Sequence, residues 1–432
     1  MKVPCNLSRY KGKIPVKKLT IIAGQNAIGK SSLLGMIGHC SQLSKASCKP
    51  LLKPSFRTEF SEIFKFSEKY DLPKEHIFTV NYCDNSFADI TDYRTVRSYK
   101  NKDRGIRFTP RRKNQDGTST SRKVQFPTVY LGLSRLYPIG ETKDENLKNK
   151  KPKFSKEDIE WIAQYYKKIL SMHADTIIGT QEIEISGSEI TKKTYGVVTK
   201  QYDHLVNSAG QDNMSQILAS VLSFKRLKAS MGEDYPGGVL LIDEIDAVLH
   251  PAAQINLVEF LYEQATELDL QIVATTHSLR LLEYLLKRYE IERYNKQARF
   301  YDTEIIYLSL EGSKVYQIED LTWSKIESNL LLLAAGMRDR SLPAIPLFSE
   351  DEVTRWFLQH LLPEYQSKLQ YIEANLSYSQ LIDLRSQDKK YFRTVLIVLD
   401  GDQFNNKAID PFNNILTLPE DGLPPEKVFY NF

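Results

Sequence analysis

Cysteine is scarce in this 432-residue chain, and its four copies, Cys5, Cys40, Cys48 and Cys83, fall at no spacing that would clasp zinc. The N-terminus lacks the succession of charged, apolar and small residues that marks a secretory leader. A disulfide framework is therefore not expected, and a reduced cytoplasmic protein is the simplest reading. Long apolar runs are missing too. The longest, around Leu330–Ala335 and Val239–Ile242, are the size of core elements and fall well short of the ~20 residues of a membrane helix. No repeat, low-complexity tract or heptad arm interrupts the chain, which excludes solenoid, fibrous and long coiled-coil designs. Charge of one sign is sparse as well, and a formal net of +4 names no partner.

What is present is globular: 41% hydrophobic and 26% charged residues, over a length that predicts two or three domains. Lys18–Ala23 reads KLTIIA, a short apolar strand, and SSLLGMIGHC behind it carries apolar residues at helical spacing. From about residue 44 to residue 201 this order gives way to short strands, charged loops and one clear helix, expected to be an insertion. That helix opens on Ser155 with Asp158 three residues on, a capping signature, and its aromatic stripe suits a core. TIIGTQEIEIS and TYGVVTKQY then alternate like an antiparallel pair. From Val239 a strand, helix, strand and helix follow in turn, the pattern of a parallel sheet flanked by helices. A hairpin-like pair, EIIYLSLEG and SKVYQIED, and a helical segment near Ile326–Ala335 complete a first domain over 1–335. Residues 336–346 read as a linker and 347–432 as a second domain.

Gly24, Gln25, Asn26, Ala27, Ile28, Gly29, Lys30 and Ser31, followed by Ser32, match G-x-x-x-x-G-K-[ST] between strand and helix, where a phosphate-binding loop belongs. Its backbone N–H groups would cradle the phosphates of ATP, Lys30 would reach the β- and γ-phosphates, and Ser31 would ligate Mg²⁺. The strand Val239–Ile242 ends in Asp243 and Glu244, suited to holding the metal and to polarising an attacking water.

Asn207-Ser208-Ala209-Gly210-Gln211 precedes a helix, and His277 follows the next apolar strand. In this order the motifs resemble those of ABC-type ATPases, with Ser208, Gly210 and Gln211 matching the end of the signature and Asn207 and Ala209 departing from it. The resemblance implies a homodimer or higher homo-oligomer with ATP in the interface and His277 at the γ-phosphate. The segment IDAVLHP is similar to the soluble branch, so no membrane partner is implied. For the glutamine loop, Gln125, Ser134 and Arg135 stand as alternatives.

Beyond the linker, IPLF leads into Glu350, and VLIVL ends in Asp400-Gly401-Asp402, so two strands deliver carboxylates to one sheet edge. This resembles the TOPRIM domain, with Asp351 where a glycine is usual. The resemblance implies Glu350 as acid/base or ligand, and Glu350, Asp400 and Asp402 as ligands of Mg²⁺ or Mn²⁺. Little chain follows, so an incomplete domain is an open alternative. An ATPase head followed by TOPRIM is the arrangement of OLD-family (overcoming lysogenization defect) nucleases, which implies a nuclease controlled by ATP, in antiphage defence.

The expected fold is therefore α/β: an ABC-type P-loop ATPase head with an inserted mixed α+β region, then a small TOPRIM-like α/β domain. A second reading is a sensor or scaffold ATPase with an inactive TOPRIM-like domain that regulates a separate effector nuclease. A third is a RecF- or SMC-like repair ATPase, disfavoured because heptad arms are lacking. Between Arg94 and Lys123, eleven bases (Arg94, Arg97, Lys100, Lys102, Arg104, Arg107, Arg111, Arg112, Lys113, Arg122, Lys123) outnumber Asp103 and Asp116. They form either a nucleic-acid surface or a solvated loop.

Overall fold

The computed structural model describes residues 2–6, 11–63, 77–83, 90–101, 105–114, 116–137, 147–150, 154–171, 177–186, 191–199, 208–295, 302–311, 314–319, 321–335, 345–392, 394–403, 406, 409 and 414–418. The chain divides into two compact units, Met1–Lys325 and Ile326–Phe432.

The first unit opens with a hairpin, β1 (Lys2–Asn6) and β2 (Lys11–Pro15), then β3 (Leu19–Gly24) and α1 (Lys30–His39). A short β4 (Ser41–Gln42) leads to β5 (Ile77–Cys83), β6 (Ile90–Asn101), β7 (Gly105–Lys113), β8 (Ser119–Thr120) and β9 (Val124–Gln125). β10 (Thr128–Leu131), β11 (Leu147–Lys150), α2 (Lys156–Leu170), β12 (Ile177–Ser186) and β13 (Thr191–Thr199) precede the long α3 (Ala209–Met231). The alternation β14 (Gly238–Ile242), α4 (Pro251–Glu267), β15 (Leu270–Thr276), α5 (Leu279–Asn295) follows. A hairpin, β16 (Thr303–Glu311) and β17 (Lys314–Gln317), comes next, and α6 (Trp323–Ala335) begins at the end of this unit and runs on into the second.

A six-stranded sheet in the order β10-β14-β15-β3-β16-β17 is the centre of this unit. Its first five strands are parallel and only β17 is antiparallel. β3 and β14 are buried at almost every position, as parallel strands covered on both faces must be, which is why they read as unbroken apolar runs. The registers Leu131↔Ile242, Ile242↔Ala274 and Thr276↔Ala23 bring the carboxyl ends of β10, β14, β15 and β3 to one edge. Ligands of open α/β sheets bind at such an edge.

Ile22, Leu34 and Ile37 of β3 and α1 share one core with Leu241, Val273, Phe78, Val80 and Val96. That core joins the central sheet to a second, antiparallel sheet of order β2-β1-β5-β6-β7-β8. The expected single insertion over 44–201 is therefore corrected: β10, in its midst, is a strand of the central sheet, and β5–β8 extend the N-terminal hairpin. Four residues between loops, one of them the polar Thr128, gave β10 too little periodicity to declare its sheet. α2 opens on the Ser155–Asp158 capping box, and Tyr165 and Trp161 lie 4.6 and 5.9 Å from Phe260 of α4. Its aromatic stripe is core, as expected.

The second unit carries β18 (Ile345–Ser349), α7 (Glu352–Leu361), β19 (Leu369–Tyr371), α8 (Tyr378–Gln387), α9 (Lys389–Phe392), β20 (Leu396–Leu399) and β21 (Ile415–Thr417). Its strands are all parallel, in the order β19-β18-β20-β21. The faces of that sheet are filled by Leu381, Phe392, Val395, Ile397 and Leu399 in one cluster, and by Leu347, Leu358 and Val398 in another. Of the expected linker, 336–344 lies outside the described residues.

Candidate nucleotide site and a second carboxylate edge

β3 ends on Gly24, whose φ of 134° suits only glycine. A Cβ there would stand 2.1 Å from the Leu308 carbonyl oxygen. The loop turns through left-handed Ala27 and Gly29 into α1, which has no side-chain cap, so its first N–H groups are presented bare. Aligned peptide dipoles make such an end attractive to phosphate. Lys30 is buried, and its ammonium donates to the carbonyls of Gly24 (3.2 Å) and Gln25 (2.5 Å). Burial pushes its pKa down to about 8, against the opposing pull of Asp243, Glu244 and Asp246.

Asp243 follows β14, is 3% exposed, and accepts the Thr275 hydroxyl at 2.6 Å. The same hydroxyl oxygen accepts the Glu244 N–H at 2.7 Å, and Glu244 adopts φ 48°, which turns the chain out of the strand line. Thr275 thus fixes both acids of the pair from the neighbouring strand. Asp246 accepts the Thr276 hydroxyl (2.6 Å) and the His277 N–H (3.3 Å), holding the end of β15 to the loop behind the acids. The His277 ring is exposed. Burial of its inner part, and then Lys30, lower its pKa, which favours the neutral imidazole.

Ser208 is the N-cap of α3: its hydroxyl accepts the Gln211 N–H (3.3 Å), and Gln211 Oε1 accepts the Ser208 N–H (2.8 Å). Ser208 and Gln211 are therefore a capping box as well as part of a signature-like sequence. Gly210 sits where a Cβ would meet the Val248 carbonyl oxygen at 2.6 Å, so α3 packs flush on the loop behind the acids. Asn207 lies outside the described residues.

Of the three glutamine-loop alternatives, Gln125 lies before β10, at the strand end remote from Asp243, where it accepts the Ser44 N–H. Ser134 and Arg135 lie past the other end; Ser134 is exposed and Arg135 is 2% exposed. The Arg135 guanidinium donates to Asn213 Oδ1 (2.7 Å) and to the carbonyls of Glu244 (2.8 Å), Gly132 (3.0 Å) and Leu131 (3.3 Å). Burial lowers its pKa to about 10, with Asp243 foremost among the groups opposing that fall. Sequence reasoning missed Asn213, Thr275 and Asp246. The one available signal was a polar QDN at the start of a helix that is buried along most of its length.

In the second unit β18 and β20 are adjacent, with Ser349 opposite Val398, and this register brings Glu350 beside Asp400. Glu350 Oε1 accepts the Asp400 N–H (3.0 Å) and Oε2 the Tyr378 N–H (3.2 Å). Burial, with Asp400 and Asp402 adding repulsion, raises the Glu350 pKa. Asp400 Oδ1 accepts the Thr354 hydroxyl (2.5 Å), and Asp402 is exposed. Asp351, in the place of the usual glycine, caps α7 by accepting the Thr354 N–H (2.8 Å).

Among the described residues no group of three or more His, Cys, Asp or Glu converges to hold a metal. The oxygen donors nonetheless fit Mg²⁺ at both edges, because that ion keeps several waters and takes one or two carboxylates together with substrate phosphates. Ser31 and Asp243 are such a set at the loop, and Glu350 and Asp400 at the second edge.

Residues 19–283, more than half of the chain, match the family model described as "AAA domain, putative AbiEii toxin, Type IV TA system". The chain belongs to this AAA-domain family. The AAA-family protein is a P-loop ATPase of α/β fold, which implies nucleotide and, as a rule, Mg²⁺ at the loop. Among solved structures it is similar to the SMC head domain from Thermotoga maritima: 12% identity, 74% of this chain and 98% of that one, TM-score 0.36. It is also similar to the Smc head domain of Pyrococcus furiosus with an extended coiled coil, bound to the C-terminal domain of ScpA: 14% identity, 78% and 99%, TM-score 0.37. No curated protein matches the ATPase. None of its described helices is long and apolar enough to cross a membrane.

Proposed function

We propose that this ATPase binds ATP between two copies of its first unit, and that nucleotide state controls a TOPRIM-like, metal-dependent nuclease in the second, as in OLD-type nucleases. The observation that carries the nuclease is the pairing of Glu350 with Asp400 across adjacent parallel strands, at an edge where burial and mutual repulsion load the carboxylates. Mg²⁺ or Mn²⁺ held by Glu350 and Asp400, with Asp402 nearby, would supply charge neutralisation for phosphodiester cleavage. Glu350, with its raised pKa, is suited to exchange a proton there.

At the loop, Lys30 would reach the β- and γ-phosphates, while Ser31 and Asp243 would hold Mg²⁺. Glu244 orients the attacking water and His277 faces the γ-phosphate. The exposed Ser208 end of α3, packed flush by Gly210, would turn the positive end of its helix dipole to a nucleotide on a partner copy, the capping box itself occupying the Ser208 and Gln211 N–H groups.

A second reading has one specific observation in its favour: no three-acid group converges among the described residues. The second unit would then be inactive and the ATPase would regulate a separate effector nuclease. Cleavage of plasmid DNA and of RNA in Mg²⁺ or Mn²⁺, with and without ATP, separates the two. Cleavage by the wild type that is lost in Glu350→Ala and Asp400→Ala supports the nuclease. Intact ATP turnover without cleavage under any condition sinks it.

A further inference from the structure

Strand alternation sorts the basic run of β6 and β7 onto two faces. Val96, with Phe78 and Val80 of β5 and partly buried Phe108, faces the core. On that side Arg94 is 5% exposed and donates to Asp92 (2.5 Å) and to the Arg122 carbonyl (2.7 Å), while Arg112 donates to the same Asp92 (2.8 Å). Lys123 is bonded to Glu59 at 2.8 Å. Three of the eleven bases are thus paired with carboxylates, and Lys100, Lys102 and Arg104 lie outside the described side chains.

The other face is different in kind. Thr95 stands opposite Arg111, Arg97 opposite Thr109, and Tyr99 opposite Arg107, while β5 contributes Ile77, Thr79 and Asn81 beside them. A cavity of about 530 Å³ on this face is lined by Tyr93, Arg97, Tyr99, Arg111, Lys113 and neutral neighbours. Arg97, Arg111 and Lys113 are exposed, Tyr99 is 37% exposed, and among the described residues none of these cations meets a carboxylate. Asp116, in the turn before β8 near its end, is committed to the N–H (2.9 Å) and hydroxyl (2.6 Å) of Thr118.

We propose that this concave face binds single-stranded nucleic acid, with Arg97, Arg111 and Lys113 on successive phosphates and Tyr99, aided by Tyr93, stacked on bases. Cations alone would suit any polyanion. Tyrosine rings set among them, where no described carboxylate pairs with the cations, suit a strand whose bases are unpaired and can offer a π-face, which a duplex buries. Contacts to phosphates and to ring faces carry no base code, so binding through them is indifferent to sequence. The inference rests on the reading of the chain as a nucleic-acid enzyme for its choice of polymer, but it does not depend on the carboxylate edge. Binding can therefore be measured without cleavage.

The test is fluorescence anisotropy of a labelled oligothymidine with the full chain in EDTA, across a salt series, with thermal melts confirming that each variant is folded. Three phosphate contacts predict a log–log salt slope of about −2, and Arg111→Ala should lower its magnitude by about 0.7. Tyr99→Ala should weaken binding about 5- to 150-fold with the slope unchanged, because stacking releases no counterions. A folded Arg97→Ala/Arg111→Ala variant that binds like wild type would overturn the proposal. So would duplex bound as tightly as single strand with no effect of Tyr99→Ala, or a preference for mononucleotides.

Discussion

Arg135, past the end of β10, and Asn213, in the first turns of α3, are joined in the buried interior by a 2.7 Å hydrogen bond. Arg135 also holds the Glu244 carbonyl, and Asn213 donates to the Ala247 carbonyl at 3.0 Å. The two side chains thus tie the helix that begins at Ser208 to the loop that carries the acids. Asn213→Ala leaves the guanidinium one partner short in a dry site, a loss of about 1–3 kcal/mol. Urea denaturation should register that loss, and ATP turnover should fall with little change in KM. Full turnover in a destabilised variant would mean that the tie serves stability alone.

Thr275→Val keeps the shape of β15 but removes the hydroxyl that holds both Asp243 and the Glu244 backbone. One lost hydrogen bond at the acids, about 1–1.5 kcal/mol, corresponds to roughly tenfold in kcat. Glu244→Gln, which removes the carboxylate proposed to orient the attacking water, should cost about 100-fold or more while sparing ATP binding. Steady-state turnover beside equilibrium binding of a fluorescent ATP analogue separates the two effects.

Gly210→Ala places a methyl 2.6 Å from the Val248 carbonyl oxygen. Because that obstacle is backbone, α3 must move off the loop, at about 1–3 kcal/mol. A melting temperature equal to wild type would show that the helix start can shift freely.

Glu59 gives the fold a dependence on acid. Burial alone would raise its carboxyl pKa, but the partnerships with His39 and Lys123 outweigh burial and hold it well below the usual carboxylate range. A depressed folded pKa contributes stability that is complete above the unfolded value of about 4.3 and is lost as pH falls toward the folded one. Glu59→Gln should therefore be less stable than wild type by about 1.5–3 kcal/mol at neutral pH. The gap should close progressively below about pH 5, as paired denaturation curves across pH would show.

What could be read in the sequence was what lies together in it. The phosphate loop, the acid pair after β14 and the Ser155 cap are local, and each stands where its pattern placed it. Arg135 and Asn213 are 78 residues apart, and no spacing rule joins them. The basic run was legible only in part for a related reason: Asp92, just upstream of it, pairs with Arg94 and Arg112 through strand register. Strict even-and-odd reading of β6 would have put Asp92 and Arg94 on one face. In the second unit the carboxylates were legible at the strand ends, whereas the grip of Thr354 on Asp400 was not, since it depends on where α7 settles.

β3 bears on how the chain is made. Both of its sheet neighbours, β15 and β16, lie about 250 or more residues downstream, with Leu19 opposite Ile272 on one side and Thr303 on the other. During synthesis at ~5–20 residues per second, this apolar strand leaves the ribosome tens of seconds before either neighbour exists. Until then its N–H and C=O groups are open to any passing strand. The nascent ATPase thus has a long window of vulnerability to misassociation, and a chain cut short before Thr303 would carry that open edge permanently.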